Sequence, residues 1–198
     1  MRFPDHLLKL IQLLKRLPGV GNRSAERFAF QLLNWSNADL AELGEALKTT
    51  HHKLQSCQVC GCLSGEEGCN FCDLTRRDPH IICVIASLRD VFSVEETRAY
   101  NGLYHVLGGV LSPLNRRGPE HLSINKLKQR LESLPIKEVV IALDSTLEGD
   151  ATALFLRQEL AHYSVHISRL AFGLPMGSAL DYVDGGTLAR ALAGRSRF

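Results

Sequence analysis

The sequence predicts an α/β protein built from several modules: a helical N-terminal module, a four-cysteine module, a parallel sheet covered by helices, and a C-terminal tail. Three observations predict it. Helical spacing of apolar residues runs through the first 53 positions, two Cys-x-x-Cys pairs then interrupt it, and after residue 80 strand-length apolar runs alternate with helix-like stretches four times. That last alternation is the pattern of parallel strands joined by helical crossovers. The 198 residues are 45% hydrophobic and 22% charged, with only 7 Pro, which is ordinary globular composition and excludes collagen-like and low-complexity readings. No stretch approaches the ~20 uninterrupted apolar residues of a membrane span, and the first apolar segment has no small-residue cleavage site. A soluble cytoplasmic protein is expected.

In chain order, Leu7, Leu10, Ile11 and Leu14 mark a first helix, with Lys9, Gln12, Lys15 and Arg16 on its other face. Pro18, Gly19 and Gly21 stop it, and Ala25, Phe28, Ala29 and Leu32 begin a second. Ser36 three places before Asp39 is a capping-box pattern that opens a third helix, expected to carry Leu40, Leu43 and Leu47 inward. Residues 54–79 lose all periodicity and gain four clustered cysteines with Gly61, Gly65 and Gly68, the composition of a small module held by something other than a core. Strands are then expected at 81–85, 104–107, 139–143 and 165–170, with helices at 89–98, 124–134 and 151–163.

Net charge is +2, but its distribution is uneven: +3 over residues 1–53, −2 over 54–80 and +1 beyond. The first 30 residues hold Arg2, Lys9, Lys15, Arg16, Arg23 and Arg27 against Asp5 and Glu26. A polyanion-binding surface and an ordinary solvated helix face both fit that excess.

Cys57-x-x-Cys60-Gly61 followed by Cys69-x-x-Cys72 carries the clearest chemistry. Two intervening residues let both thiolates of a pair turn to one tetrahedral centre, and eight residues between the pairs suffice to fold one back on the other. A structural Zn2+, one per chain, is expected, since four sulfur ligands leave no open coordination position. Reduced thiols or disulfides are the alternative, disfavoured in a cytoplasmic chain. Cys62 lies off the pattern, and Cys83 sits in a strand run as a small core residue.

Gly19 and Gly21 fall between two helices, within Leu17-Pro18-Gly19-Val20-Gly21 and just before Asn22-Arg23-Ser24-Ala25. Two glycines one residue apart allow a turn whose amides face outward ahead of a helix N-terminus, a site for an anion. With Arg23 and Arg27 on the following turns, that anion fits a nucleic-acid phosphate. The segment resembles the helix-hairpin-helix motif, which grips the DNA backbone without reading sequence; a plain helix-turn-helix joint is the alternative.

After the expected strand at 139–143 come Asp144, Ser145, Thr146, Leu147, Glu148, Gly149 and Asp150. Acids at a strand's carboxyl end before a helix are where an open α/β sheet places its site. The run resembles the acidic motif of the Toprim domain, whose carboxylates hold Mg2+ for phosphoryl chemistry. Thr146 stands where catalytic members have a second aspartate, and Ala86 where they have a glutamate acting as general acid or base. Asp90, Asp144, Glu148 and Asp150 remain, and without the acid/base group a non-catalytic role is expected.

Taken in order, these motifs are similar to the RecR family of recombination mediators over nearly the whole chain. The resemblance includes Tyr104, Gly108, Gly109, Ser112 and Pro113 within 104–114, then Gly118, Pro119 and Glu120, the run 146–149, the tail string 173–177 and Thr187, Leu188, Ala189 and Arg190. It implies a non-enzymatic DNA-repair factor that forms homo-oligomeric rings, up to tetramers, able to encircle DNA. It also implies action with RecO and RecF to load recombinase at single-stranded gaps. Phosphate contacts fall on Gly19, Gly21, Arg23 and Arg27, zinc on the four cysteines, and RecO binding on Asp144, Glu148 and Asp150. The implied modules are a DNA-binding 1–53, a zinc finger 54–79, a Toprim domain 80–175 and an oligomerisation tail 176–198. A Mg2+-dependent Toprim nuclease or primase-like enzyme, and a protein scaffold without DNA contact, are the rival readings.

Overall fold

A computed structural model describes residues 3–171, 173–174 and 177–195. Arg2 of the basic segment and Pro175 and Met176 of the tail string lie outside the described residues. The chain divides into two compact units, Met1–Lys53 and Leu54–Phe198. No helix among the described residues is long and apolar enough to cross a membrane.

The first unit holds α1 (Asp5–Leu14), α2 (Asn22–Leu32) and α3 (Asn37–Lys53). Leu7 and Ile11 of α1 bury against Ala25 and Ala29 of α2, with Leu10, Leu14 and Val20 at the edge. Two alanines four residues apart form a smooth strip that lets the helices approach closely, whereas Phe28 of α2 stays exposed. Ser36 and Asp39 form the expected capping box: the Ser36 N–H donates to Asp39 Oδ2 at 3.3 Å and the Asp39 N–H to Ser36 Oγ at 3.2 Å. The inward packing expected for α3 does not occur. Leu40, Leu43 and Leu47 are 37%, 37% and 68% exposed, because α1 and α2 already close their apolar stripes on each other and leave α3 no face within the unit.

The second unit opens with a short antiparallel hairpin, β1 (Gln55–Ser56) and β2 (Leu63–Ser64). It continues with β3 (Asp78–Ile85), α4 (Leu88–Glu96), β4 (Gly102–Val106), α5 (Ile124–Ser133), β5 (Glu138–Ala142), α6 (Leu147–Glu159), β6 (His166–Arg169) and α7 (Gly185–Ala193). The sheet order is β4-β3-β5-β6, parallel throughout, with Ile85 flanked by Val106 and Ala142. Because β4 and β5 lie on opposite sides of β3, the connections leaving β3 and β5 diverge, and the carboxyl ends of those two strands form a topological switch point.

Pleating sorts the side chains of β3. Ile82 and Val84 point to a core shared with Leu127 of α5 and Leu156 and Leu160 near α6, while Cys83 and Ile85 point to a second core with Val91 of α4, Tyr104 and Val106. That second face differs from the expectation of helices alone: Cys60 and Cys62 belong to its core, so α4 shares the covering with the cysteine segment.

Most boundaries fall within two residues of expectation, but two elements start three or four residues early. β3 begins at Asp78, whose N–H donates to the Asn101 carbonyl. α6 begins at Leu147, four residues early, because Thr146 caps it by accepting the Gly149 N–H at 3.0 Å and because Glu148 and Asp150 suit the positive end of the helix dipole.

Candidate functional site

The turn between α1 and α2 closes with the Val20 N–H donating to the Leu17 carbonyl at 3.1 Å. Gly19 stands there at φ +79°, which a side chain rarely tolerates. Gly21 has no such need: it is extended (φ −84°, ψ 179°) and serves as the N-cap of α2 without a side chain to satisfy it. The first helical bond runs from the Ala25 N–H to the Gly21 carbonyl at 2.9 Å, so the amides of Asn22, Arg23 and Ser24 have no acceptor within the helix. A Cβ at either glycine would meet nothing within 4 Å. Arg23 and Arg27, one helical turn apart, are exposed, and the Arg27 guanidinium lies 5.5 Å from the Phe28 ring centre. Open backbone amides at a helix N-terminus with two exposed arginines in its first turns are groups chemically suited to an anion.

The four expected cysteines meet. Their sulfurs all lie within 4.8 Å of one another, with Cys57 to Cys72 at 3.8 Å and Cys60 to Cys69 at 3.5 Å. Four sulfurs bound tetrahedrally at ~2.3 Å from a zinc ion would stand about 3.8 Å apart, so the donor set fits. Gly61 turns the knuckle at φ +75°, and a Cβ there would press on Val106 at 3.0 Å. Cys62 completes the loop as a structural neighbour: its N–H points at Cys60 Sγ at 3.4 Å and its carbonyl accepts the Cys57 N–H at 2.7 Å. The thiols of this cluster hold one another in unequal states. Hydrogen bonds from Cys62 and Cys72 stabilise a thiolate at Cys60, the same bonds push Cys62 and Cys72 up, and burial pushes Cys69 up to about 12. A dication at the centre removes that conflict, since all four can then ionise together. Among the described residues this is the one group of His, Cys, Asp or Glu able to hold a metal.

The three acids after β5 do not converge. Asp144 is exposed. Glu148 lines a 330 Å3 cavity with Val110, Ser112, Asn115, Arg117 and Thr146. Asp150 turns toward β6 and α7, pairing with Arg169 at 2.5 Å and Arg190 at 3.1 Å, while Arg190 also donates to Ser145 Oγ. The Arg169 hydrogen bond, reinforced by both guanidinium charges, holds the Asp150 carboxyl below its ordinary value. Asp90 is used locally, accepting the Ser87 N–H at 2.8 Å to cap α4. Ala86 follows β3 directly and packs at the margin of the core.

Three family models match the chain: RecR helix-hairpin-helix over residues 7–51, Toprim domain over 80–171 and RecR C-terminal over 173–196. A recombination protein RecR of Protochlamydia amoebophila is 71% identical over 198 residues, covering 100% of both chains. The RecR proteins of Chlamydia abortus and Chlamydia pneumoniae are 47% and 48% identical, covering 100% of this chain and 100% and 99% of theirs. The chain belongs to the RecR family. The matched RecR and Toprim regions flank residues 52–79, which hold the cysteine cluster, and the name places the chain among recombination proteins.

Two interior networks of this RecR-family chain escape a reading of its sequence. Arg77 makes a two-pronged ion pair with Glu95, which also accepts the Tyr104 phenol at 2.6 Å. Arg130, only 5% exposed, donates Nη1 to the Tyr104 carbonyl and faces His105 Nδ1 at 3.5 Å. The signal for Arg130 lies in spacing: it stands three residues after Leu127 and beside Leu131, on the buried side of α5.

Proposed function

We propose that this chain is a DNA-binding recombination mediator of DNA repair, a non-catalytic clamp that acts with RecO and RecF to load recombinase at single-stranded gaps. The hairpin carries the reading. Gly19 sets the turn, Gly21 leaves space for a sugar-phosphate backbone to approach, and Arg23 and Arg27 supply cations without reaching for base edges, so contact is sequence-independent. The modules divide the work as 1–53 for DNA, 54–79 as a structural zinc finger, 80–175 as a Toprim domain and 176–198 for assembly into homo-oligomeric rings. Asp144, Glu148 and Asp150 form the RecO-binding face, Asp150 through its tie to Arg190. The site of action is the nucleoid in the cytoplasm.

Zinc at Cys57, Cys60, Cys69 and Cys72 would supply a fold constraint and no chemistry, because sulfur would fill every position. A non-enzyme is supported by the dispersal of the acids: Asp90 caps a helix, Asp150 is committed to two arginines, and Ala86 offers no proton-transfer group at the switch point.

Fluorescence anisotropy of a labelled gapped duplex, titrated at several salt concentrations, tests the DNA reading. Binding should weaken as salt rises, and Arg23→Ala/Arg27→Ala should flatten the log–log slope by about 2, roughly 0.9 per phosphate contact. Unchanged affinity and slope in the double variant would overturn the hairpin contact. Strand cleavage lost on Asp144→Asn would favour the Mg2+-dependent enzyme instead.

A further inference from the structure

Arg130 is a buried cation whose charge no carboxylate answers. Among the described residues no Asp or Glu lies within ion-pair distance of it, and its Nε is buried without a hydrogen-bond partner. A guanidinium cannot shed its proton, and an uncompensated charge of this kind in the interior is strongly unfavourable. Its polar neighbours are neutral. His105 donates Nε2–H to the Ser123 carbonyl at 3.0 Å, which leaves the Nδ1 lone pair facing Arg130, and burial followed by the Arg130 charge holds the ring down at about 4. The Tyr104 carbonyl contributes only a dipole.

The cysteine knuckle is bonded to β4, the same strand that Arg130 holds. This strand is the edge of the sheet, and two of its residues attach separate elements: the Tyr104 carbonyl accepts from Arg130, and the Val106 N–H donates to the Cys60 carbonyl at 2.8 Å. One helical turn before Arg130, Lys126 reaches the same knuckle and donates Nζ to the Gln58 carbonyl at 2.9 Å, between Cys57 and Cys60. α5 therefore ties Lys126 directly to the knuckle and Arg130 to the strand against which the knuckle's Cys60 carbonyl is bonded. Four thiolates around a divalent cation leave a net charge of about −2, which matches them.

We propose that Lys126 and Arg130 are the counter-charge of the four-cysteine metal centre, so that metal loading and the seating of α5 on the sheet stabilise each other. The proposal rests on the reading of the cysteines as a zinc site and adds which residues outside the ligand set fix its affinity. Removing either cation leaves the tetrathiolate centre under-compensated, and loss of the metal leaves Arg130 without an anion. Residues that hydrogen-bond or balance the charge of a metal's ligands commonly govern its affinity by about 10–100-fold.

The test is competition for Zn2+ against a chromophoric chelator, using the full chain with folding checked by circular dichroism. Arg130→Gln should weaken zinc binding by about 10–100-fold, with Arg130→Lys restoring most of it. Lys126→Gln, at an exposed position, should weaken binding by about threefold, and it carries the test if Arg130→Gln does not fold. Repeating the series in a Cys72→His background lowers the centre's net negative charge by one and should shrink both penalties several-fold, which a purely structural role for these side chains would not do. Wild-type zinc affinity in Lys126→Gln and Arg130→Gln, or penalties identical in the two backgrounds, would overturn the proposal. Zinc binding by the wild type no tighter than by a Cys57→Ser/Cys72→Ser chain would instead remove the metal-site reading beneath it.

Discussion

Arg77 and Glu95 form a two-pronged ion pair with both N–O distances at 2.7 Å, joining the segment that leaves the cysteine knuckle to helix α4. The Arg77 side chain is 11% exposed and its guanidinium lies 5.3 Å from the Phe71 ring centre and 5.5 Å from that of Tyr104. Burial between two rings and fork-on-carboxylate geometry favour a pair stronger than a surface one. Glu95→Gln should cost about 1–3 kcal/mol in denaturant unfolding and strip the Tyr104 phenol of a charged acceptor.

The same pair fixes a pH signature. Arg77 hydrogen bonds, opposed by burial, hold the Glu95 carboxyl below its ordinary value. A carboxyl depressed on folding contributes stability in full above its unfolded pKa, near ~4.3, and loses that contribution as pH falls through the folded value. The stability gap between wild type and Glu95→Gln should therefore be constant from about pH 6 to 8 and narrow below about pH 4, read from urea midpoints.

Gly149 lies so close to the Asp144 carbonyl oxygen that a Cβ could not fit, and the obstacle is backbone. Gly149→Ala should destabilise the second unit by about 1–3 kcal/mol through displacement of the Thr146 cap, lowering the denaturation midpoint with an unchanged slope.

The hairpin glycines should behave differently from each other. Gly19→Val forces a branched side chain into a left-handed conformation and should cost about 1–2 kcal/mol. Gly21→Ser meets open space at an N-cap, where serine ranks at or above glycine, so thermal stability should hold or rise while affinity for the gapped duplex falls.

With zinc bound at the four cysteines, as proposed, a strong chelator should open the knuckle. Structural zinc contributes about 10–16 kcal/mol in isolated modules, and residues 54–79 have the hairpin of β1 and β2 and little else of their own. Hydrogen exchange should rise there and along β4, whose edge the knuckle covers, while α1 and α2 keep their protection.

The Cys-x-x-Cys spacing, the alternation of strands and helices, the two glycines between α1 and α2 and the Ser36–Asp39 cap were all legible in the sequence, because each is a local pattern with a local physical cause. Tertiary structure alone decided what pairing across the chain controls. It turned Asp150 toward Arg169 and Arg190, spent Asp90 on a helix cap, made Cys60 and Cys62 part of the sheet's second core, and left Leu40, Leu43 and Leu47 of α3 exposed. It also buried Arg130 against the Tyr104 carbonyl of β4, 26 residues away in sequence. Periodicity reports which face of an element is apolar; which surface meets that face, and which charge answers a buried charge, depend on contacts between residues far apart in the chain.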